Sequence, residues 1–255
     1  MTSNPKLRIS AHLVAGGKYH DFDFARRELL SLLGEHDHVR TTVSPDWEEL
    51  APLLSSDFIV SYTCDVRPSE KAQHAIRDWL SKGGRLLALH GTNAALNLGG
   101  VNGFEAPRCF PLWAEILGSQ FIAHPPIVPY LVELSPNKHW LTDNITPFET
   151  DDELYLMEYH DRDSLEPLLY TQWQGEAPSF SESDWTTGSQ EHLIQYLRPL
   201  GRGAVLYNTL GHCRGHWDME PLTDWYPKVE RCSWDIPQYY ELLRRAIKWA
   251  IGEEK

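Results

Sequence analysis

Residues 69–91, SEKAQHAIRDWLSKGGRLLALHG, contain a helix followed by a strand, the pattern that indicates the fold class. Ser69 to Leu80 predicts a helix, because apolar residues recur at helical spacing on one face: Ala72, Ala75, Ile76, Trp79 and Leu80. The glycines at 83 and 84 stop that helix. Arg85 to Leu89 then predicts a strand that is almost continuously apolar, which is typical of a strand buried on both faces of a parallel sheet.

The same alternation extends back toward the start of the chain. Residues 7–14 and 57–61 predict two further strands, and residues 24–33 predict a helix between them with Asp21 or Asp23 as its N-cap. Strands that alternate with helices form right-handed crossover units. We therefore expect an α/β fold of the flavodoxin-like, doubly wound type, in which helices flank a mostly parallel sheet.

The rest of the chain adds elements to this one unit. They are a short helix at 112–117, strands at 128–134, 154–157, 168–173 and 203–209, and a closing helix at 237–251. Residues 174–190 are polar and rich in turn formers, and they predict a surface loop. A chain of 255 residues favours a single domain, 1–255, with long functional loops.

Composition narrows the range of partners and cofactors. The chain has 36 acidic and 23 basic residues, a formal charge of −13, which disfavours binding to nucleic acid or to an anionic membrane. No segment is apolar enough to span a bilayer, and MTSNPKLRIS lacks the apolar core of a signal peptide, so we expect a cytoplasmic protein. A P-loop and a G-x-G-x-x-G motif are both missing, so no nucleotide cofactor is expected in this chain.

Polar residues follow several predicted strands, at the sheet edge where doubly wound proteins bind ligands. His90 directly follows Arg85–Leu89, and His212 follows the late strand, so these two histidines are predicted to be catalytic. Other side chains near strand ends are predicted to bind substrate: His20, Asp21, Asp65 and Asn93. An abundance of tryptophan and tyrosine in the C-terminal half suits sugar rings, and Trp217 joins this set, although such residues also serve to pack long loops.

Histidine spacing also suggests a metal site. His212 and His216 would share a face if their segment were helical, and His124 is a third histidine in a loop. Imidazoles with a carboxylate suit a divalent ion such as zinc or manganese. The same residues could work without a metal, as a general acid and base. The sequence leaves both alternatives open, and it does not fix which histidines would bind.

Six pieces of the sequence carry a family resemblance. They are His20-Asp21, GGRLLALHG at 83–91, Gly118 with His124-Pro125, His139 before Ile145-Thr146, Asp152-Glu153-Leu154-Tyr155, and GRGAVLYNTLGH at 201–212. In this order, over nearly the whole chain, they resemble the ThuA-like (trehalose utilisation) family. The resemblance implies a fold related to class I glutamine amidotransferases. It also favours an inward role for Glu153, as a catalytic residue, and for Tyr155, as a substrate-binding residue.

The chain departs from the amidotransferases at one position. Those enzymes carry a nucleophilic cysteine at the turn after the strand that corresponds to Arg85–Leu89, whereas this chain has His90 there. Glutamine hydrolysis through a thiolate is therefore not expected.

The family resemblance implies a role in the catabolism of disaccharides or glycosides, alongside an NAD-dependent sugar dehydrogenase that makes 3-keto sugars. A base, His90 or His212, would remove the acidified C2 proton, while His20, His124 and Glu153 would hold a metal or the sugar. The product would be an isomer or a cleaved glycoside. Two rivals stay open: a non-catalytic sugar-binding or regulatory module, and a scaffold for the dehydrogenase. Association between copies of the chain also stays open.

Overall fold

The computed structural model of the protein describes residues 8–100 and 103–253. Its helices are α1 (Phe22–Gly34), α2 (Leu50–Leu54), α3 (Glu70–Ser81), α4 (Pro111–Leu117) and α5 (Pro237–Ile251). Its strands are β1 (Ile9–Gly17), β2 (Val39–Ser44), β3 (Phe58–Cys64), β4 (Arg85–Leu89), β5 (Asn97–Gly100), β6 (Gly103–Glu105), β7 (Ser119–Ala123), β8 (Tyr130–Leu134), β9 (Phe148–Thr150), β10 (Leu156–Tyr159), β11 (Glu166–Gln172), β12 (Gly175–Glu176), β13 (Asp184–Trp185), β14 (Glu191–Leu200) and β15 (Gly203–Asn208). No helix in these ranges is both long and apolar enough to cross a bilayer.

A nine-stranded sheet forms the centre of the described chain, in the order β2-β1-β3-β4-β15-β14-β11-β8-β9. The first five strands pair in parallel, and from β15 to β9 each pairing is antiparallel. Helices α1 and α5 pack together against the sheet, and α3 packs with α2 and α4 in a second group. The predicted doubly wound α/β class is confirmed, and the antiparallel extension is an addition to it.

The strand β4 occupies the middle of the parallel half, as its apolar sequence predicts. Leu87 pairs with Val60 of β3 and with Leu206 of β15, and all three side chains are buried. The parallel register aligns the strand ends, because Leu89 pairs with Asn208, the last residue of β15. The loops that follow β1, β3, β4 and β15 therefore leave the sheet along one edge, where ligands of such sheets bind.

The sequence pattern does not predict several elements of the structure. The ten-residue strand β14 was not predicted, because buried polar residues such as Gln195 and Arg198 interrupt its apolar run and Pro199 argues against a strand. The edge strand β2 is half-exposed and also lacks an apolar run. The predicted loop 174–190 contains the short hairpin β12–β13. Leu7, the expected start of the first strand, lies outside the described residues.

Candidate active site

Four side chains from separate loops meet at the carboxyl edge of the sheet. His20 follows β1, His90 follows β4, His212 follows β15, and Glu153 precedes β10. His20 Nε2 lies 2.8 Å from His90 Nε2 and 3.2 Å from His212 Nδ1. Glu153 approaches His212 Nδ1 at 3.1 Å and His90 Nε2 at 3.4 Å. We call these four residues the histidine–glutamate cluster, and all four side chains are at most 5% exposed.

Each histidine of the cluster uses its outer ring nitrogen to donate a hydrogen bond. His20 Nδ1 donates to the carbonyl oxygen of Lys18 at 3.1 Å, and His90 Nδ1 donates to that of Thr209 at 2.7 Å. His212 Nε2 donates to Glu230 Oε2 at 3.1 Å. Such bonds fix the tautomer, and in the neutral ring they leave the inner nitrogen as a lone pair. These inner nitrogens face one another around a carboxylate, so either a shared proton or a metal ion between them would relieve the repulsion of their lone pairs.

Burial and neighbouring charges shift the pKa values of the cluster residues in different directions. Burial lowers the pKa of His20 well below 6.5, and the two neighbouring histidines lower it further. Burial also opposes the charge of His212, but Glu153 outweighs it and raises the pKa of His212 to about 9. Burial would raise the pKa of Glu153, yet His124 and His212 hold it well below its ordinary value. The carboxylate is therefore ionised, and a proton on His212 and the guanidinium of Arg214, 3.4 Å away, both balance its charge.

The donor atoms of the cluster fit a divalent metal ion. All four lie within 4.8 Å of one another; four of the contacts range from 2.8 to 3.4 Å, and His20 Nε2 lies 3.9 Å from Glu153 Oε2. Metal–ligand bonds of about 2.1 Å place neighbouring ligands roughly 3.0–3.4 Å apart in octahedral or tetrahedral geometry. Three imidazoles and one carboxylate are ligands that zinc and other first-row divalent ions accept. The residues present thus match such an ion in ligand type and spacing.

The backbone around His90 is arranged for this site. His90 has a φ of 46°, the left-handed region that non-glycine residues rarely occupy. A Cβ on Gly91 would lie 2.6 Å from the carbonyl oxygen of Thr63, so only glycine allows the turn to approach β3 this closely. The hydroxyl of Tyr207 donates to the carbonyl oxygen of His90. Strain of this kind persists where surrounding contacts hold it, and it is found most often at functional sites.

Asp152 joins the two loops that carry Glu153 and His212. It is 1% exposed, and its Oδ1 accepts hydrogen bonds from the backbone N–H groups of Glu153 at 2.8 Å and His212 at 3.0 Å. Its Oδ2 accepts from the backbone of Gly211 at 2.8 Å and of Ser233 at 3.3 Å. Two adjacent carboxylates in one acidic run therefore have different roles: Glu153 faces the cluster, whereas Asp152 fixes the loops around it.

A pocket opens above the cluster. His20 and Glu153 of the cluster form part of its lining. The polar groups that line it include His20, His124, Glu153 and Arg214. Its remaining wall is largely aromatic and apolar: Tyr19, Phe104, Phe121, Tyr155, Phe180, Ala94, Leu96 and Met219. Aromatic walls beside a few converging polar groups suit a ligand with both apolar faces and hydroxyl edges.

The predicted substrate-binding residues lie in different environments in the structure. Tyr155 lines the pocket and packs against His90, with ring centroids 4.7 Å apart. Asp21 caps α1, accepting from the backbone of Phe24, and pairs with Arg231. Asp65 is 2% exposed and pairs with Lys18 and Arg67. Asn93 is buried and donates to Ser119. The contacts of Asp21, Asp65 and Asn93 are with the protein itself.

The predicted metal residues are only partly brought together. His212 belongs to the cluster, and His124 Nε2 lies 3.5 Å from Glu153 on the pocket wall. His216 lies outside the cluster, and its Nδ1 bonds the carbonyl oxygen of Tyr226. Residues 212–216 are not helical, so the condition for a shared helix face is not met. Trp217 is 70% exposed and borders a neighbouring groove rather than the pocket.

Two charged residues of the site had no signal in the sequence. Arg214 Nη1 donates to Glu230 Oε2 at 2.9 Å, and Arg214 Nη2 donates to Glu153 Oε1 at 3.4 Å. A β-bridge between Arg214 and Glu230 brings them together across an irregular loop. Because that loop has no helical or strand periodicity in its sequence, the contact could not be predicted. Phe180 reaches the pocket from the predicted surface loop. Glu230, as the partner of His212, is the kind of carboxylate that orients a metal-binding histidine.

Comparison with known proteins gives the family. A family model for trehalose utilisation, ThuA, matches residues 13–225. A ThuA-like protein from Bacteroides uniformis superposes with a TM-score of 0.66 at 16% identity, over 98% of this chain and 94% of that one. A ThuA-like protein from Parabacteroides merdae superposes with a TM-score of 0.65 at 14% identity, over 95% of this chain and 90% of that one.

Other comparisons are weaker. A β-galactosidase from Rahnella sp. R3 gives a TM-score of 0.55 at 10% identity, over 97% of this chain and 32% of the enzyme. No curated protein matches the sequence. Identities this low show a shared fold only, whereas the family model spans most of the chain. The chain belongs to the ThuA, or trehalose utilisation, family.

Proposed function

We propose that this protein is a metal-dependent enzyme of carbohydrate utilisation that acts on a keto sugar or keto glycoside. One observation carries the proposal: three imidazoles, each held by its outer nitrogen, turn their inner nitrogens toward one carboxylate that lines a pocket. His20, His90, His212 and Glu153 would hold the ion, zinc or manganese being suited to them. A bound ion would supply Lewis acidity at a carbonyl oxygen, where negative charge develops during proton abstraction.

If His90 and His212 hold a metal ion, neither of them can be the general base that the sequence suggested. His90 and His212 would have both ring nitrogens engaged, one by the ion and one by the protein. His124 instead donates from Nδ1 to the carbonyl oxygen of Pro125 at 2.7 Å, and its Nε2, 3.5 Å from Glu153 Oε1, is not needed as a ligand, so in the neutral ring it can accept a proton. Its side chain is 24% exposed, against 5% or less for the cluster, and it lines the pocket. We assign the general base to His124.

The remaining groups of the pocket would orient the sugar. The guanidinium of Arg214 is within 3.4 Å of Glu153, so it can hold a substrate oxygen next to the cluster. Tyr155 and Phe121 form one aromatic wall, with ring centroids 4.6 Å apart, and Phe180 packs on Phe121 at 5.6 Å. These faces would cover the apolar C–H side of a sugar ring and exclude water from it.

The reaction follows from carbonyl chemistry. A ketone acidifies the hydrogen on the adjacent carbon, and His124 would accept that proton. The C–H electron pair becomes the new C=C bond, and the carbonyl π electrons move to oxygen. The resulting enediolate either regains a proton at the neighbouring carbon, which isomerises the sugar, or expels the substituent on the next carbon, which cleaves the glycoside. A dehydrogenase that uses NAD would supply such a ketone by removing hydride from the parent sugar.

Turnover and solvent exchange test this proposal together. Protein reconstituted with zinc or manganese is incubated with a 3-keto glucoside in D₂O, and both deuterium at C2 and product are followed by NMR. We expect exchange and product with the native chain, and loss of both in His124→Gln with metal content retained. His139→Gln is the matched control, because His139 does not line the pocket. Binding of unmodified disaccharide without metal, exchange or turnover would refute the enzyme and favour a binding module.

A further inference from the structure

The hairpin β12–β13 carries a tip, residues 177–183, that contributes to the pocket wall. The two strands pair in antiparallel register, and the backbone N–H of Ala177 donates to the carbonyl oxygen of Ser183 at 2.8 Å, which closes the tip. Phe180 stands in the middle of the tip, is 3% exposed and lines the pocket. A segment that the sequence predicts to be a surface loop therefore supplies a buried aromatic ring to the candidate site.

The ring of Phe180 packs on the proposed base. Its centroid lies 4.9 Å from that of His124 and 5.6 Å from that of Phe121, and both contacts are edge-to-face, a geometry that aromatic pairs favour. His124 is held at Nδ1 by its hydrogen bond to the carbonyl oxygen of Pro125. The ring of Phe180 therefore restricts the imidazole through a second, separate contact.

Two backbone hydrogen bonds dock the tip on β6. The N–H of Phe104 donates to the carbonyl oxygen of Ser179 at 2.9 Å, and the N–H of Ser181 donates to the carbonyl oxygen of Phe104 at 2.8 Å. This pairing is an isolated parallel bridge rather than part of a continuous strand. Segments held by few contacts open more readily than the core of a fold. The tip can therefore detach without disturbing the central sheet.

Arg108 ties the tip to the strand that follows the segment of Glu153. Its Nη1 and Nη2 donate to the two carboxylate oxygens of Glu182 at 2.7 and 3.1 Å, and its Nε donates to Glu158 in β10 at 2.8 Å. The three paired side chains are between 42% and 51% exposed. Exposed ion pairs contribute little to stability, and bidentate arginine pairs are among the stronger of them. Such a link favours the docked tip and still lets it open.

We propose that the hairpin tip is a lid over the candidate site, that its Phe180 is a positioning residue for His124, and that Arg108 is the latch that sets how often the lid opens. The lid opens to exchange ligand. It closes to return Phe180 to the imidazole and to exclude water from the pocket. This assignment rests on the proposed function only for the identity of His124 as the base.

Hydrogen exchange of two backbone amides, followed by NMR, measures the lid without any substrate. The N–H groups of Phe104 and Ser181 make the docking bonds, so their exchange rates follow the fraction of open lid. Arg108→Gln should speed up both amides about twofold to fivefold, the range that an exposed ion pair gives. Salt at about 1 M should speed them up by a similar factor in the native chain and have little further effect in the variant.

Arg244→Gln is the matched control. Arg244 also donates from two nitrogens to one carboxylate, that of Glu35, with both bonds at 2.8 Å, and its side chain is 43% exposed. Because this pair joins α5 to the end of α1, its loss should leave the exchange of Phe104 and Ser181 unchanged. Native exchange rates in Arg108→Gln, or the same acceleration in Arg244→Gln, would overturn the lid and its latch.

Deuterium exchange at C2 of the keto glucoside tests the role of Phe180. Phe180→Ala should lower kcat about tenfold with metal content retained and a smaller change in KM, because the base is no longer held in place. Phe180→Tyr keeps the ring and should restore most of the rate. A native kcat in Phe180→Ala, or a change in KM alone, would contradict the positioning role. A native chain that never exchanges C2 hydrogen refutes the proposed function instead, and the amide exchange rates still decide whether the lid exists.

Discussion

Replacement of Asp152 by asparagine should damage the candidate site without touching a cluster ligand. The two carboxylate oxygens accept four backbone N–H groups, from Glu153, Gly211, His212 and Ser233. An asparagine oxygen can keep the two bonds on its side, whereas its NH₂ group would face the other two donors. Whichever way the amide turns, two buried donors lose their acceptor.

The size of the effect follows from those two donors. Each unsatisfied buried N–H costs about 1–3 kcal/mol, so Asp152→Asn should lower the free energy of unfolding by roughly 2–6 kcal/mol. Because the lost bonds join the loops of Glu153 and His212, metal affinity should fall as well, by about 10-fold to 100-fold.

Two assays measure these losses separately. Urea unfolding of the chelator-treated protein gives the stability change, and competition with a chelator gives the affinity change. Asp151→Asn removes the same charge one position earlier, where the side chain is exposed, and it should change both quantities little. If Asp152→Asn stayed within about 0.5 kcal/mol of the native chain in stability, the role given to Asp152 would be wrong.

Three further predictions concern separate features. Glu230→Gln should weaken metal binding about tenfold in a chelator competition, because it removes the negative charge behind His212; unchanged affinity would contradict that role. Gly91→Ala should destabilise the fold in thermal unfolding, since its Cβ would meet backbone at 2.6 Å, whereas Gly34→Ala, with nothing within 4 Å, should be neutral or stabilising. Burial lowers the pKa of His12 below 6.5, so the unfolded chain binds its proton more readily; this part of the stability is complete above that pH and is lost as the pH falls. His12→Gln should therefore flatten the decline of the urea midpoint between about pH 7 and about pH 5, and an equal decline in both proteins would refute the assignment.

The sequence predicts the parallel half of the fold well, and the reason is physical. The strand Arg85–Leu89 is buried on both faces, so its side chains are uniformly apolar and its bounds agree with the structure. The strand β14 is also buried, but its neighbours satisfy polar side chains such as Gln195, which bonds Asn208 across the sheet. A pattern of apolar residues cannot report a buried hydrogen bond between two distant segments.

The candidate site also contains some residues that the sequence predicts and others that it does not. His20, His90 and His212 could be predicted as neighbours, because parallel strands bring their carboxyl ends to one edge. The pairing of His212 with His216 assumed a helix that the backbone does not form. Glu230 could not be predicted, since its approach to the cluster depends on an irregular loop and one β-bridge.

The proposed metal centre can be checked by measuring the metal content of the purified protein. The native chain and a His90→Ala variant are purified without added metal, and divalent ions are measured by elemental mass spectrometry before and after incubation with zinc or manganese. We expect about one ion per native chain that resists mild dialysis, and a large loss of that ion in the variant. A folded native chain that retains no ion even after incubation, or a His90→Ala variant that retains it fully, would contradict the metal centre proposed at the histidine–glutamate cluster.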